Sequence, residues 1–378
     1  MISIEQKVLA CSTELNPDPH QQQRMRHLMS HDIDVDHLIN MAIEEGLSGL
    51  LYKSLVKSGM LETLEHRQRE RLQSLYYQIV VFNLNLIQDL KEVLHLLNQK
   101  KIQVVLLQGI ALMQQIYDDI GLRPMTDIDL WVLQKDYPGL ISILSSQGFQ
   151  TDPIYPNTFR KGSTTFDLHT HILWADRIKA RELLLTKSQE HIYHDTRIIH
   201  FEGKEVLCLS QYDQVLYLSL HALKHDVNRL IWLVDIKGLL ADWKRSDWEA
   251  LLSRARELGQ EKTISYILYL LLHLFDFHLP LEARQLLERK RLHFLEKKVL
   301  RGRIKSNSLP VWASLVLFSS GKGLRKRFSF ILETLFPRPE ILRQVFVDSP
   351  GLKVWQLYYM RVLQLFGMIK MSLKGRRV

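Results

Sequence analysis

Cysteine is nearly absent: the 378 residues hold only Cys11 and Cys208. Two thiols so far apart build no disulfide framework, so the chain is expected in a reducing compartment. The opening stretch, MISIEQKVLACSTELNPDP, lacks the basic start and apolar middle of a signal segment. Long hydrophobic runs are missing too. The longest, near Ile264–Phe277, is interrupted by His273 and Asp276. It is too short to span a bilayer and reads as a buried helix. No internal repeat or low-complexity segment is visible. These absences leave a cytoplasmic protein as the expectation. At 46% hydrophobic and 24% charged residues, the chain can bury a sizeable core in two or three domains.

Acid is scarce at one end. From Leu281 to Val378 there are 21 Lys/Arg against 6 Asp/Glu, a net of +15. The whole chain carries +9, which leaves −6 for residues 1–280. A basic section on an acidic body suggests a polyanionic partner: an anionic membrane surface, nucleic acid or a polyanionic substrate. A solvated Lys/Arg-rich helical face would have the same composition.

Apolar spacing divides the chain into four stretches. Residues 1–100 read as an N-terminal helical region. Leu38, Ile39, Ala42, Ile43, Leu47, Leu50 and Leu51 recur at helical spacing, with a break at Gly46. Arg67–Gln99 holds no Pro or Gly and predicts one long helix. Residues 101–210 change to an α/β pattern. Strands are predicted at Ile102–Leu107, Thr126–Leu133, Phe149–Tyr155, Thr164–Leu168, Thr196–Phe201 and Glu205–Leu209, with helices at Ile110–Ile120 and Tyr137–Gln147. Residues 211–305 are helical again, starting from a Ser210 cap. They include helices at Asn228–Trp243 and Ile264–Phe277. A linker-like break at Ser306–Pro310 precedes the basic section, 306–378, which ends in a helix over Val354–Leu373. The expected class is α+β: a small mixed-sheet core between helical regions.

The chemistry lies in RPMTDIDLWVL, residues 123–133. Residues i and i+2 of a strand share a face, so Asp127 and Asp129 project together. Paired carboxylates on a buried strand stay ionised only beside a positive charge. A divalent ion with oxygen ligands, Mg²⁺ or Mn²⁺, is the usual partner. A third acid would complete a two-metal site. Asp167 in TTFDLHTHI is the candidate, with His169 on the same face; Asp118, Asp119 and Asp152 sit in weaker contexts.

Three segments resemble the bacterial "uncharacterised nucleotidyltransferase" family of the polymerase-beta-type superfamily: LLQGIAL (106–112), RPMTDIDLWV (123–132) and FDLHTHI (166–172). The likeness extends to residues 32–55, to HALKHDVNRLIWLVDIKGLL (221–240) and to ETLFPRPEILRQVF (333–346). The resemblance implies transfer of a nucleoside monophosphate from an NTP to an acceptor hydroxyl of unknown identity. Asp127, Asp129 and Asp167 would hold the metals, and Asp167 would favour deprotonation of the acceptor. Gly109, with the following helix start, would admit the phosphates, beside Gln108 and Thr126. Arg123 would neutralise phosphate charge, and His169, His221, Arg229 and Asp235 would line the substrate side. Two positions depart: Gln108 stands where the family has Lys, and Ile110 where the superfamily has Ser. Glutamine brings no positive charge. A catalytically impaired nucleotide-binding or scaffolding protein is therefore a second expectation. A toxin-like enzyme acting on tRNA or protein is a third, prompted by the basic section.

Other signals are weaker. His169-x-His171 lacks further ligands at zinc spacing. The His225-Asp226 doublet lacks the extra His and Asp of a phosphohydrolase. GKGLRKR (321–327) lacks the spacing and hydroxyl of a phosphate loop, but its charge could meet anionic lipid.

Overall fold

A computed structural model describes residues 3–175, 178–306, 309–310, 312–319, 323–347 and 351–373. The N-terminal helices are α1 (Ile4–Ser12), α2 (Pro19–Met29), α3 (Val35–Glu45), α4 (Ser48–Ser58) and α5 (His66–Gln99). Gly46 ends α3 in the left-handed region at φ 72°, as its position between two helical patterns predicts. The middle block runs β1 (Val104–Leu106), α6 (Gln108–Leu112), β2 (Ile128–Val132), α7 (Tyr137–Ser146), β3 (Gln150–Thr151), β4 (Thr158–Lys161) and β5 (Thr164–His169). A 3₁₀ turn (Lys179–Leu184), α8 (Gln189–His194), β6 (Arg197–Phe201) and β7 (Lys204–Cys208) complete it.

Helices follow: α9 (Gln211–Lys224), α10 (Ile231–Leu240), α11 (Arg245–Glu257), α12 (Glu261–Phe275), α13 (Leu281–Arg289) and α14 (Phe294–Ser306). The basic section holds α15 (Ala313–Ser319), α16 (Leu324–Leu335), α17 (Pro339–Val345) and α18 (Val354–Leu373). Among the described residues, no helix is long and apolar enough to cross a membrane. The 306–310 break and the 321–327 cluster fall partly outside the described residues.

The fold is α+β, with one mixed sheet in the order β3-β4-β5-β2-β1-β7-β6. β2 pairs parallel with β5 and antiparallel with β1. All five β2 residues are buried, so both faces of the sheet are covered here. Alternation sorts them. Ile128, Leu130 and Val132 pack with Leu90, Leu94 and Leu97 of α5 and with Leu140 and Leu144 of α7. Trp131 faces the opposite way, into a core built by α1–α4 and α9–α12. Asp129 shares the Trp131 parity, so its carboxylate points toward the helices that follow the sheet.

Three predicted elements differ. The helix expected over Ile110–Ile120 ends at Leu112, the strand expected over Phe149–Tyr155 shrinks to Gln150–Thr151, and β4 was not anticipated. The first difference has a tertiary cause: N-terminal helices hold the chain before β2. Asn83 Nδ2 donates to the carbonyls of Ile120 (2.7 Å) and Arg123 (2.9 Å). Asp119 takes a hydrogen bond from Tyr76 and an ion pair from Lys53 at 2.6 Å, which occupies it in clamping. At Gly49 a Cβ would lie 1.9 Å from the Gly121 carbonyl oxygen, so backbone meets backbone there.

Candidate active site

The strand register brings the acids together. Asp129 of β2 stands opposite Asp167 of β5, and Thr158 of β4 stands opposite Asp167 on its other side. Thr158 Oγ1 donates to Asp167 Oδ1 at 3.0 Å. His169 Nε2 lies 2.8 Å from Asp129 Oδ1 and 3.7 Å from Asp167 Oδ2. Asp129, Asp167 and His169 each offer a ligand atom, all within 4.8 Å of one another. Asp127 sits one residue before β2, where Thr126 Oγ1 donates to its Oδ1 at 3.0 Å. Asp127, Asp129, Asp167 and His169 line one cavity of about 270 Å³, together with Gln108, Gly109, Arg123, His221 and Arg229.

The electrostatics are those of crowded acids. Burial, and then the Asp129 charge, push the Asp127 carboxyl up to about 7. Burial also raises Asp167, with His169 opposing and Asp129 adding to the shift. Burial alone would lower His169. The Asp129 hydrogen bond and the charges of Asp129 and Asp167 outweigh it and hold the imidazole above its ordinary value. Asp129 and Asp167 offer converging hard oxygen donors, with Asp127 on the same cavity, a donor set that fits a divalent ion such as Mg²⁺ or Mn²⁺. The imidazole nitrogen is engaged with Asp129 and can orient that carboxylate.

The sequence expectations for Arg123 and Asp235 need correction. Asp235 is fully buried and forms no part of the cavity wall. Arg123 Nε and Nη2 bind it at 2.9 and 2.8 Å, and Tyr117 Oη donates to it at 2.6 Å. Two of the arginine's nitrogens are thus committed to Asp235, behind the cavity. Gly109 serves the same pair: a Cβ there would come within 2.1 Å of Arg123 Nη1. The helix that starts at this turn has five residues, too few to build much of the dipole expected for phosphate. Gln108 holds φ 53°, a left-handed conformation costly for a side chain, and its Nε2 is 3.5 Å from Tyr217 Oη.

Several cavity residues were not anticipated. Lys224 of α9 brings a cation, with its Nζ 3.8 Å from the Trp174 ring centroid. It lies one turn from His221 on the same helix, a spacing that could have revealed it. Thr158 gave no signal because its strand was unseen. His221 is 6% exposed and its Nδ1 has no hydrogen-bond partner. Burial, then the neighbouring His225, lower its pKa well below the ordinary value, so the ring is neutral. Its ring lies 4.7 Å from that of His225 and 5.2 Å from that of Trp232, centroid to centroid. His171 does not share the face of His169, because β5 ends at His169. The His171 Nδ1 accepts from the Leu173 amide at 3.1 Å.

Comparisons with known proteins follow this geometry. A family described as "uncharacterised nucleotidyltransferase" matches residues 31–276. No curated protein matches the chain. Among solved structures, the solution structure of the antibiotic-resistance factor ANT(2'')-Ia is 14% identical, covering 46% of this chain and 92% of that one at a TM-score of 0.33. The crystal structure of ANT(2'')-Ia in complex with adenylyl-2''-tobramycin is 16% identical, covering 45% and 96% at 0.32. Likenesses this partial assign neither substrate nor role to the present chain. The family match spans well over half of the sequence and includes the acids, the Gln108–Gly109 turn and His221, and on that basis the chain belongs to the uncharacterised nucleotidyltransferase family.

Proposed function

We propose that the protein moves a nucleoside monophosphate from an NTP to an acceptor hydroxyl, using Mg²⁺ or Mn²⁺. The observation that carries this reading is the register of Asp129 against Asp167, with Asp127 at the same cavity. Asp127, Asp129 and Asp167 would hold the ions. When bound, the ions would neutralise phosphate charge and lower the pKa of the attacking hydroxyl. His169 orients Asp129, and Thr158 orients Asp167. Lys224 and Arg229 supply positive charge at the cavity, where Arg123 is already balanced by Asp235. Gln108 and Thr126 contact the nucleotide, and His221 offers it a neutral ring nitrogen. The acceptor oxygen bonds to the α-phosphorus, its proton passes toward Asp167, and the bond to the β-phosphate breaks to release pyrophosphate. The protein acts by positioning and charge. Incubation with α-labelled NTPs and candidate acceptors tests this. Equal labelling by wild type and by Asp129→Asn would sink it.

The strained Gln108 favours a second reading, a nucleotide binder that does not turn over. It predicts calorimetric NTP binding without any labelled product. The basic section also bears on location. Trp355, Tyr359, Leu363 and Phe366 are exposed at helical spacing on α18. With the net +15 of residues 281–378, they support a cytoplasmic protein that rests on an anionic membrane surface. Co-sedimentation with phosphatidylserine vesicles but not with phosphatidylcholine vesicles is the expected result. Equal recovery with both would remove this part of the proposal.

A further inference from the structure

A second cavity, of about 540 Å³, adjoins the first at Asp167. It shares Asp167, His169, Trp174 and Lys224 with the first cavity. Asp127, Asp129, the Gln108–Gly109 turn and Arg229 line the first cavity only. The exposures agree: the Asp167 side chain is 37% exposed and that of Asp129 is 6%. A molecule in the second cavity therefore meets one acid of the three, Asp167.

Two segments wall this second space. One is the loop Tyr155–Asn157 leading into β4; the other is α17 with the residue before it, through Arg338, Glu340, Ile341 and Gln344. The α17 wall is held from both sides. Glu333 at the end of α16 accepts from the amides of Lys179 and Ala180, both at 2.7 Å. On α18, Arg361 Nε donates to the Leu335 carbonyl at 2.9 Å, and Tyr358 Oη donates to the Pro337 carbonyl at 3.1 Å. Residues 338–344 lie beyond the 31–276 family match, in the basic C-terminal section.

We propose that this second cavity is the acceptor chamber and that its acceptor is a small saccharide or glycoside. The inference rests on the nucleotidyl-transfer reading, which places the triphosphate in the first cavity and the acceptor hydroxyl at Asp167. The class of acceptor follows from the lining. Tyr155 presents an aromatic ring, against which the C–H face of a sugar packs. Gln344, Glu340 and Arg338 are planar groups that bridge adjacent hydroxyls with two hydrogen bonds. A lipid tail would need apolar walls, and Ile341 is the main aliphatic side chain of the α17 wall. The charged lining is mixed, Glu340 and Asp167 against Arg338 and Lys224, which suits a small polar molecule better than a polyanion. The volume lies within the range of about 300–1,000 Å³ usual for small-molecule sites.

The test uses the full chain with Mg²⁺ and a non-hydrolysable NTP. Binding of a panel of mono-, di- and trisaccharides, neutral, amino and uronic, is followed by saturation-transfer NMR and titration calorimetry. At least one saccharide is expected to bind. Gln344→Trp, which fills the chamber from the α17 side, should weaken it by about tenfold or more while nucleotide affinity stays unchanged. Tyr155→Ala, on the opposite wall, is the second variant should the first not fold. Binding by no member of the panel overturns the proposal. So does saccharide binding that both variants, folded by their melting curves, leave at the wild-type level. Saccharide binding that depends on the chamber, with no label reaching the sugar, would overturn the transfer reading and leave a saccharide site standing.

Discussion

Two sets of carboxylates lie close to the same cavity and could hardly differ more. Asp235 lies in the interior with its charge met by Arg123 and a hydrogen bond from Tyr117. Asp127, Asp129 and Asp167 lie together with one partly shared imidazole among them, and the carboxyls of Asp127 and Asp167 are raised by burial and by the Asp129 charge. The first arrangement satisfies every group it buries. The second leaves negative charge crowded. In the proposed reading, the same residue type thus serves architecture in one place and chemistry in the other. Only the partners tell them apart.

The comparison can be broken most sharply at Arg123. Arg123→Ala leaves Asp235 buried without its cation and should cost about 3–5 kcal/mol in urea unfolding, whereas Asp127→Asn should cost nothing or stabilise the metal-free protein. A similar loss in both variants would erase the distinction. Next in size is His169→Gln, expected to weaken metal affinity or transfer by about 10–100-fold while the melting temperature holds, as read by Mn²⁺ titration and product labelling.

A third measurement follows pH. Burial, with the charges of Lys224 and Arg181, lowers His225 to about 3. The folded state therefore holds this ring neutral while the unfolded chain would protonate it near 6.5. Its contribution is complete above the unfolded value and is lost as pH falls from there toward 3. His225→Gln should flatten that acid limb in a series of melting curves, and an unchanged slope would exclude the ring as its source. The smallest effect belongs to Gln108→Gly. Glycine relieves the positive φ and should add about 1 kcal/mol of stability by chemical denaturation, with loss of the side chain that faces the cavity.

Much of this was legible in the residues. The polar–apolar alternation of TDIDLWV placed Asp129 on a strand, and FDLH placed Asp167 and His169 on its partner. What stayed hidden was long-range. Nothing near Arg123 in the sequence points to Asp235, 112 residues away. The stretch after Leu112 carries helical spacing, yet contacts from Lys53, Tyr76 and Asn83 pull it into a loop. Local periodicity cannot see such contacts. β4 is short, and a Thr-Phe-Arg-Lys run offers little pattern, so Thr158 and its bond to Asp167 went unforeseen.

The meeting of Gly49 with Gly121 carries a consequence for modularity. Two peptide backbones in contact leave no side chain through which a mismatch could be absorbed. An N-terminal cap borrowed from another protein would have to reproduce that approach to within a fraction of an ångström, or the loop ahead of Asp127 would shift. Excising the sheet as a minimal catalytic fragment would fail for the same reason. In this molecule the helical cap and the strand that carries Asp129 are one part, not two that happen to be joined.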